Sequence, residues 1–251
     1  MHPIAFSVGG HPVRFSGLIY LLAIAVAGLH AYRVARRRGW DVDRVLPGVA
    51  IVVAAAYLGA RFHGAMLDWE IFTLDPVAVL AQSDGLSYFG GLLAGSLAFV
   101  VYLRWARVPV GQGTDAFVPL APVLYALFRI GCFLNGDDYG RPSALPWAMA
   151  FPEGSPPTLD PVHPVQLYEV AMMLPVILAI RRSGRRSAAP GLLTFDVVAL
   201  MGAERLLAEL WRLPPAATPA FLDPQWIAAG QILAGVAGHI LLSTRVRSPV
   251  G

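Results

Sequence analysis

The stretch FRIGCFLNGDDYGRP, residues 128–142, carries an arginine into the end of an apolar run and then turns polar, with Asn135, Asp137, Asp138, Tyr139 and Arg141 in quick succession. In a water-soluble protein such a segment is ordinary. In lipid an arginine is tolerated only where it faces protein or water, so there it marks a functional position by default. Which case applies is decided by the rest of the chain.

The 251 residues are 56% hydrophobic and 14% charged, with a mean hydropathy of +0.59. That is too apolar for a chain that must cover itself in water. Phe15–Tyr32, Gly85–Leu103 and Pro224–Thr244 carry no formal charge and approach or exceed the ~20 residues that a helix needs to cross the hydrocarbon core. Four further apolar runs are interrupted by charge: Val45–Leu67 by Arg61, Ala116–Gly136 by Arg129, Val162–Ile180 by Glu169, and Pro190–Leu210 by Asp196, Glu204, Arg205 and Glu209. The reading is an all-α integral membrane protein, a bundle of about seven transmembrane helices in a single domain over residues 1–251.

The arginines orient it. The connections 33–44, 104–115 and 181–186 and the tail after Leu242 hold thirteen of the nineteen basic residues, all of them arginine, while the other side carries twelve of the sixteen acids. By the positive-inside rule the N-terminus is expected outside and the C-terminus in the cytoplasm. The same asymmetry, with anionic headgroups, accounts for the basic balance, so no nucleic-acid partner is implied. The first apolar run is too long, and too poor in preceding positive charge, for a removable signal peptide, so it is expected to stay. Cys132 is the single cysteine, which excludes an intrachain disulfide and a cysteine-based metal cluster. Neither a metal nor a cofactor is expected.

Sorted by side, Arg61, the GDDYGR segment, HPVQLYE at 163–169, and Arg205, Glu209 and Arg212 all fall at the outer ends of helices. Buried arginines and glutamates at one depth must pair with one another or hold something anionic. A guanidinium offers planar, permanently charged donors that suit phosphate, and the nearest phosphate is a lipid headgroup. Each motif also has a plain structural reading. Arg205, Glu209 and Arg212 share one helix face and could form a self-satisfying ion-pair stripe. His163-Pro164 is a natural helix entry, with Gln166 and Glu169 available as caps. Asn135-Gly136 with Asp137-Asp138 could be only a turn. Gly91 and Gly95 have the spacing that lets helices approach closely in lipid, and Gly90-Gly91 could instead admit an acyl chain. His30 and His239 read as ordinary polar residues, while His63, two positions from Arg61, stays open.

The ordered set R-I-G-x-F-x-N-G-x-x-x-G-R at 129–141, H-P-x-Q-L-Y-E at 163–169, R-x-x-x-E-x-x-R at 205–212 and G-Q-I-L at 230–233 resembles the bacterial prolipoprotein diacylglyceryl transferase family. So do G-x-x-Y at 17–20, G-A-R at 59–61 and S-Y-x-G-G-L-x-x-G at 87–95, and together they cover nearly the whole chain. The resemblance implies a seven-helix enzyme of the bacterial inner membrane with its active site facing the periplasm, and a bundle of this size is expected to work as a monomer. Such an enzyme moves the diacylglyceryl group of phosphatidylglycerol to the lipobox cysteine thiol at a prolipoprotein signal peptide and releases glycerol phosphate. It further implies that Arg129, Arg205, Glu209 and Asn135 form the catalytic centre. Arg61, Gly90, Gly91, Gly140, Arg141, His163, Gln166, Tyr168, Glu169 and Arg212 are then expected around the substrate, with Cys132, His63, Asp137 and Tyr20 as further candidates.

The chain departs from the family pattern at three places. Phe89 stands where a histidine is usual, Cys132 where the signature has asparagine, and Ser16 where an aromatic residue is usual. Phenylalanine carries no proton, so either the histidine is not the base in this branch, or Glu209, His63 or His163 does that work, or the acceptor is a different one. Cys132 reads either as a small packing residue or as a thiol beside Arg129 that takes part in transfer. The same departures motivate two alternatives: a relative with the same lipid donor and another acceptor, and an inactive lipid-binding membrane protein.

Overall fold

Where no water reaches the backbone, a spanning segment must satisfy its own N–H and C=O groups, and helices do so along their length. The computed structural model describes residues 3–67, 69–81, 86–184, 189–213 and 224–247, and most of them are helical. Among the described residues, five stretches are long and apolar enough to cross a membrane: Phe15–Arg38, Val42–Met66, Tyr88–Trp105, Val110–Asn135 and Pro224–Thr244. They turn Leu21, Leu93, Leu97 and Leu233 outward, the inverse of a soluble protein and the pattern expected of lipid-facing surface. The chain is a multi-pass membrane protein.

The other two expected spans are also helices, but of a different character. Val165–Gly184 opens immediately after His163-Pro164 and buries Gln166 and Glu169 in its first turns. Leu192–Ala208 is only 17 residues long and buries Glu204. The fold also contains two short antiparallel hairpins that an all-helical reading omits, Ile4–Val8 with His11–Arg14 (β1, β2) and Met149–Phe151 with Thr158–Val162 (β3, β4).

The helices are α1 (Phe15–Arg38), α2 (Val42–Val45), α3 (Pro47–Leu67), α4 (Trp69–Leu74), α5 (Pro76–Ala81), α6 (Tyr88–Trp105), α7 (Val110–Phe117), α8 (Ala121–Asn135), α9 (Val165–Gly184), α10 (Leu192–Ala208) and α11 (Pro224–Arg247). A 3-10 turn, Val118–Leu120, separates α7 from α8. The chain divides into two compact units, Ala27–Thr114 and Met1–Val26 with Asp115–Gly251.

The first unit is organised by α3 against α6. Gly90 of α6 lies directly against the backbone of Gly59 and the Cβ of His63, so a side chain there would strike main chain. Gly91 and Gly95 face Ala56 and Ala60 of the same helix. This is close packing of the small-residue kind, and the space over Gly90 and Gly91 is filled by α3. At the other end Tyr102 covers Gly48 and donates its hydroxyl proton to the Arg44 carbonyl at 2.9 Å.

In the second unit α10 packs along α11, with Gly202, Gly235 and Gly238 providing the close approach, and α9 packs against α8 and α10. Asp115 ties the start of α10, accepting from the backbone N–H groups of Gly191 and Thr194 at 2.6 and 2.9 Å and from the Thr194 hydroxyl at 2.7 Å. These bonds serve the orphan donors that every helix start presents. Tyr20 of α1 stacks on Phe128 and covers Gly131 of α8.

Candidate functional site

The site begins where α8 stops. Gly136 takes the left-handed conformation (φ 71°) that closes a helix at little cost to glycine, and its N–H bonds back to the Phe133 carbonyl. The chain then passes through Asp138, also left-handed at φ 59°, a conformation that aspartate tolerates better than most residues. This sharp reversal returns the Asp138 carboxylate to Arg129, one helical stretch earlier.

Main-chain bonds knit three segments together beyond that turn. Gly140 N–H donates to the His163 carbonyl at 2.9 Å, His163 N–H to the Arg141 carbonyl at 3.0 Å, and Arg141 N–H to the Trp211 carbonyl at 2.9 Å. Gly140 is needed for this crossing because a Cβ there would meet the Trp211 carbonyl and the Val165 side chain. Arg141 also donates from Nε to the Arg212 carbonyl at 2.8 Å. The polar segments 136–141, 163–169 and 209–212 are thereby held in one place. Tyr139, Phe151 and Val162 form the apolar cap beside them, with Tyr139 stacked on Phe151 at 5.5 Å.

Glu169 is the hub. It is completely buried, and its carboxylate meets three guanidiniums: Arg129 Nη2, Arg205 Nη1 at 3.4 Å, and Arg212 Nη2 at 3.0 and 3.1 Å to its two oxygens. The Tyr125 hydroxyl donates to the same carboxylate at 2.9 Å. Arg129, 2% exposed, also donates to Asp138 at 2.8 Å. Arg205 pairs with Glu209 at 2.6 Å. Arg205 and Glu209 thus do form the ion pair that their spacing allows, but the stripe is not closed on itself, since both arginines also reach across to α9.

Burial works against ionisation of Asp138, and the Arg129 and Arg212 guanidiniums outweigh it, holding its carboxyl below the usual aspartate value. Neighbouring Asp137 goes the other way, pushed up by burial although Asn135 bonds it. Adjacent carboxyls in one turn therefore differ because only one faces the arginines closely.

The remaining sequence candidates take distinct places. Asn135 bridges Arg14 at 2.8 Å and Asp137 at 2.6 Å, bracing the turn instead of touching Glu169. Gln166 is fully buried and donates to the Asp137 carbonyl. His163 shares a 3.1 Å bond with the Tyr168 hydroxyl, which accepts from the Trp147 indole at 2.7 Å. Cys132 is buried with its Sγ 3.7 Å from Arg129 Nη1. Cys132, Asp137 and Asp138 can bring one ligand atom each within 4.8 Å of one another. Arg61, His63, Gly90 and Gly91 belong to the other unit, where Arg61 is buried and His63 bonds Ser87 at 2.7 Å. Tyr125, Asp138, Arg14 and Glu204 were not singled out as site residues from the sequence. Glu204 and Asp138 left a signal there, as a charge inside an apolar run and as part of the GDDYGR turn.

A buried, donor-rich centre of this kind is suited to an anion that is bound, charged further and released. A family model described as "Prolipoprotein diacylglyceryl transferase" matches residues 3–241. The chain is 33% identical over 260 residues to the phosphatidylglycerol–prolipoprotein diacylglyceryl transferase of Geobacter sulfurreducens, covering 98% of this chain and 97% of that protein. Its similarity to the protein of the same name from Pseudoalteromonas translucida is 36% over 237 residues, covering 92% and 86% of the two chains. To that of Rhizobium meliloti it is 31% over 246 residues, with the same coverage of 92% and 86%. On the match over residues 3–241 and the identity along nearly the full length of these relatives, the chain belongs to the prolipoprotein diacylglyceryl transferase family.

Proposed function

We propose that this protein transfers the diacylglyceryl group of phosphatidylglycerol to the cysteine thiol of prolipoproteins, as the names of its relatives state for them. The observation that carries the reading is the buried convergence of Arg129, Arg205 and Arg212 on Glu169. The donor lipid enters laterally from the bilayer, because its acyl chains do not leave the apolar phase cheaply.

Chemically the step is a displacement. The acceptor sulfur forms a bond to the glyceryl carbon, the C–O bond to phosphate breaks, and its electron pair passes to the phosphate oxygen. The leaving phosphate gains negative charge, so donors that strengthen their hold as that charge develops lower the barrier. Arg129, Arg205 and Arg212 are placed for this, exchanging part of their contact with Glu169 for the phosphate. The nucleophile comes with the acceptor, so the enzyme needs to supply only orientation, charge and a destination for the thiol proton.

With this goes a seven-span topology, the five long apolar helices plus α9 and α10, whose Glu169, Glu204 and Arg205 are turned away from the surface. The N-terminus lies outside, the C-terminus in the cytoplasm, and the site faces the periplasmic side of a bacterial inner membrane, working as a monomer. The arginine distribution supports that orientation.

The test uses purified protein in nanodiscs with phosphatidylglycerol and a lipobox peptide, following glycerol phosphate release and peptide mass together. Release matched by a diacylglyceryl mass gain is expected. Arg129→Ala should reduce kcat by roughly 10²–10³, the scale of losing one donor to developing negative charge. Lipid turnover with no peptide modification would move the reading to another acceptor.

A further inference from the structure

Glu204 sits on α10 one residue before Arg205 and is 5% exposed, yet neither of its carboxylate oxygens has a hydrogen-bond partner among the described residues. The other acids of the centre are engaged: Glu169 by three arginines, Glu209 by Arg205, and Asp138 by Arg129. Three guanidiniums are thus matched by three carboxylates, Asp137 is bonded by Asn135, and Glu204 has neither kind of partner among the described residues. It lies within the field of that cluster, acted on by Glu169 of α9, Arg129 of α8, and Arg205 and Arg212 of its own segment. From α11, packed along the other side of α10, the titratable group is His239, which bonds Asp196 earlier in α10.

A buried carboxylate with open lone pairs is a poor space-filler, because an apolar residue of similar volume fills the same space without desolvating a charge. What such a group offers, and its paired neighbours do not, is a site for a proton. We propose that Glu204 is the proton acceptor of the transfer, taking the thiol proton of the acceptor cysteine as the sulfur attacks. This inference rests on the function proposed above.

The step balances. The S–H and C–O bonds break, while an S–C bond and an O–H bond on Glu204 form. The C–O electron pair goes to the phosphate, and the proton leaves Glu204 for water when glycerol phosphate departs. The phosphate gains a negative charge in the same step in which Glu204 loses one, so the net charge of the buried centre stays constant. No water has to reorganise around it, which is the condition under which preorganised charges act best. The paired arginines hold the phosphate, and Glu204, whose carboxylate has no hydrogen-bond partner among the described residues, can change charge without breaking one.

The test compares wild type, Glu204→Gln and Glu204→Asp in the same nanodisc assay across pH, using lipobox peptides with cysteine or selenocysteine at the acceptor position. A selenol is ionised at neutral pH without help from a base. With the thiol peptide, E204Q should lose roughly 10²–10⁴ in kcat, the scale of general-base catalysis. Its KM for phosphatidylglycerol should change little, and the acidic limb of its pH profile should disappear. With the selenol peptide most of that loss should be recovered, and E204D should fall between. An equal loss with both peptides, or an unchanged pH profile, overturns the proposal while leaving the transferase reading intact. Should E204Q not fold, E204D carries the test: its selenol-to-thiol rate ratio exceeds that of wild type if Glu204 takes the proton, and equals it if not. A wild-type chain that folds and binds lipid but transfers nothing overturns both readings.

Discussion

Replacing Glu169 by glutamine keeps the volume of the hub and removes its charge. The side chain is wholly buried, with Arg129, Arg205 and Arg212 around it and the Tyr125 hydroxyl bonded to it. Arg129 would retain Asp138, and Arg205 would retain Glu209. Arg212 would lose its closest carboxylate, being left with Asp138 at 3.8 Å and Glu209 at 4.0 Å. Breaking a buried ion pair by neutralising one partner costs about 3–5 kcal/mol, because the other charge stays buried. For a chain of this size that corresponds to a fall in unfolding temperature on the order of 10 °C. The assay is thermal unfolding in detergent with and without phosphatidylglycerol. In E169Q the freed guanidiniums should take the lipid phosphate in place of the carboxylate, so added phosphatidylglycerol should stabilise the variant more than wild type, and more than added phosphatidylcholine does. An E169Q protein as stable as wild type, or one that gains no more from the anionic lipid than wild type does, would refute the view that Glu169 is the counter-charge that the lipid displaces.

Asp115→Ala removes all three bonds that tie the start of α10; a loss of about 1–2 kcal/mol is expected on the scale of helix caps, measurable as a lowered unfolding temperature with transfer activity retained in the folded fraction. Gly90→Ala places a Cβ against Gly59 backbone, whereas Gly28→Ala meets nothing within 4 Å. The first should cost about 1–3 kcal/mol as overpacking and the second should be neutral or slightly stabilising; equal effects in unfolding measurements would show that α3 and α6 do not meet there. Asp138, whose carboxyl is held below the usual value by Arg129 and Arg212 against the effect of burial, should contribute stability above its ordinary value of about pH 3.9 and lose it as the pH falls through the lower, folded value. Unfolding temperatures followed from neutral to acid should therefore decline less steeply for Asp138→Asn than for wild type.

The helical segments were legible because hydropathy is a property of consecutive residues. The apolar run at Phe15–Tyr32 became α1, and Pro224–Thr244 became most of α11, each extended at its C-terminal end by arginines that continue the helix. The start of α9 was legible for a similar reason, since Pro164 punctuates the chain locally. Hairpin β3–β4 was not, because its strands are three and five residues long and draw their stability from Tyr139 and Phe133, which lie outside them. Within the site the residue types were visible but the pairing was not. Arg205 and Glu209 announce each other at four residues apart, whereas nothing in HPVQLYE reveals that Glu169, and not Gln166, meets the arginines. Asn135 shows the converse, belonging to the right motif and yet bracing Arg14 and Asp137.

By itself, then, the sequence determined the solvent of the protein, the course of its helices and the family to which it belongs. Those follow from composition, periodicity and local turns. Only the tertiary structure decided that one buried glutamate receives three arginines while another, Glu204, has no hydrogen-bond partner among the described residues. That outcome depends on the rotation and register of α8, α9 and α10 about their own axes, which small residues and backbone crossings such as Gly140 against Trp211 fix to within a contact. A shift of one residue along any of these helices would turn its charged side chain by about 100° and break the pairing.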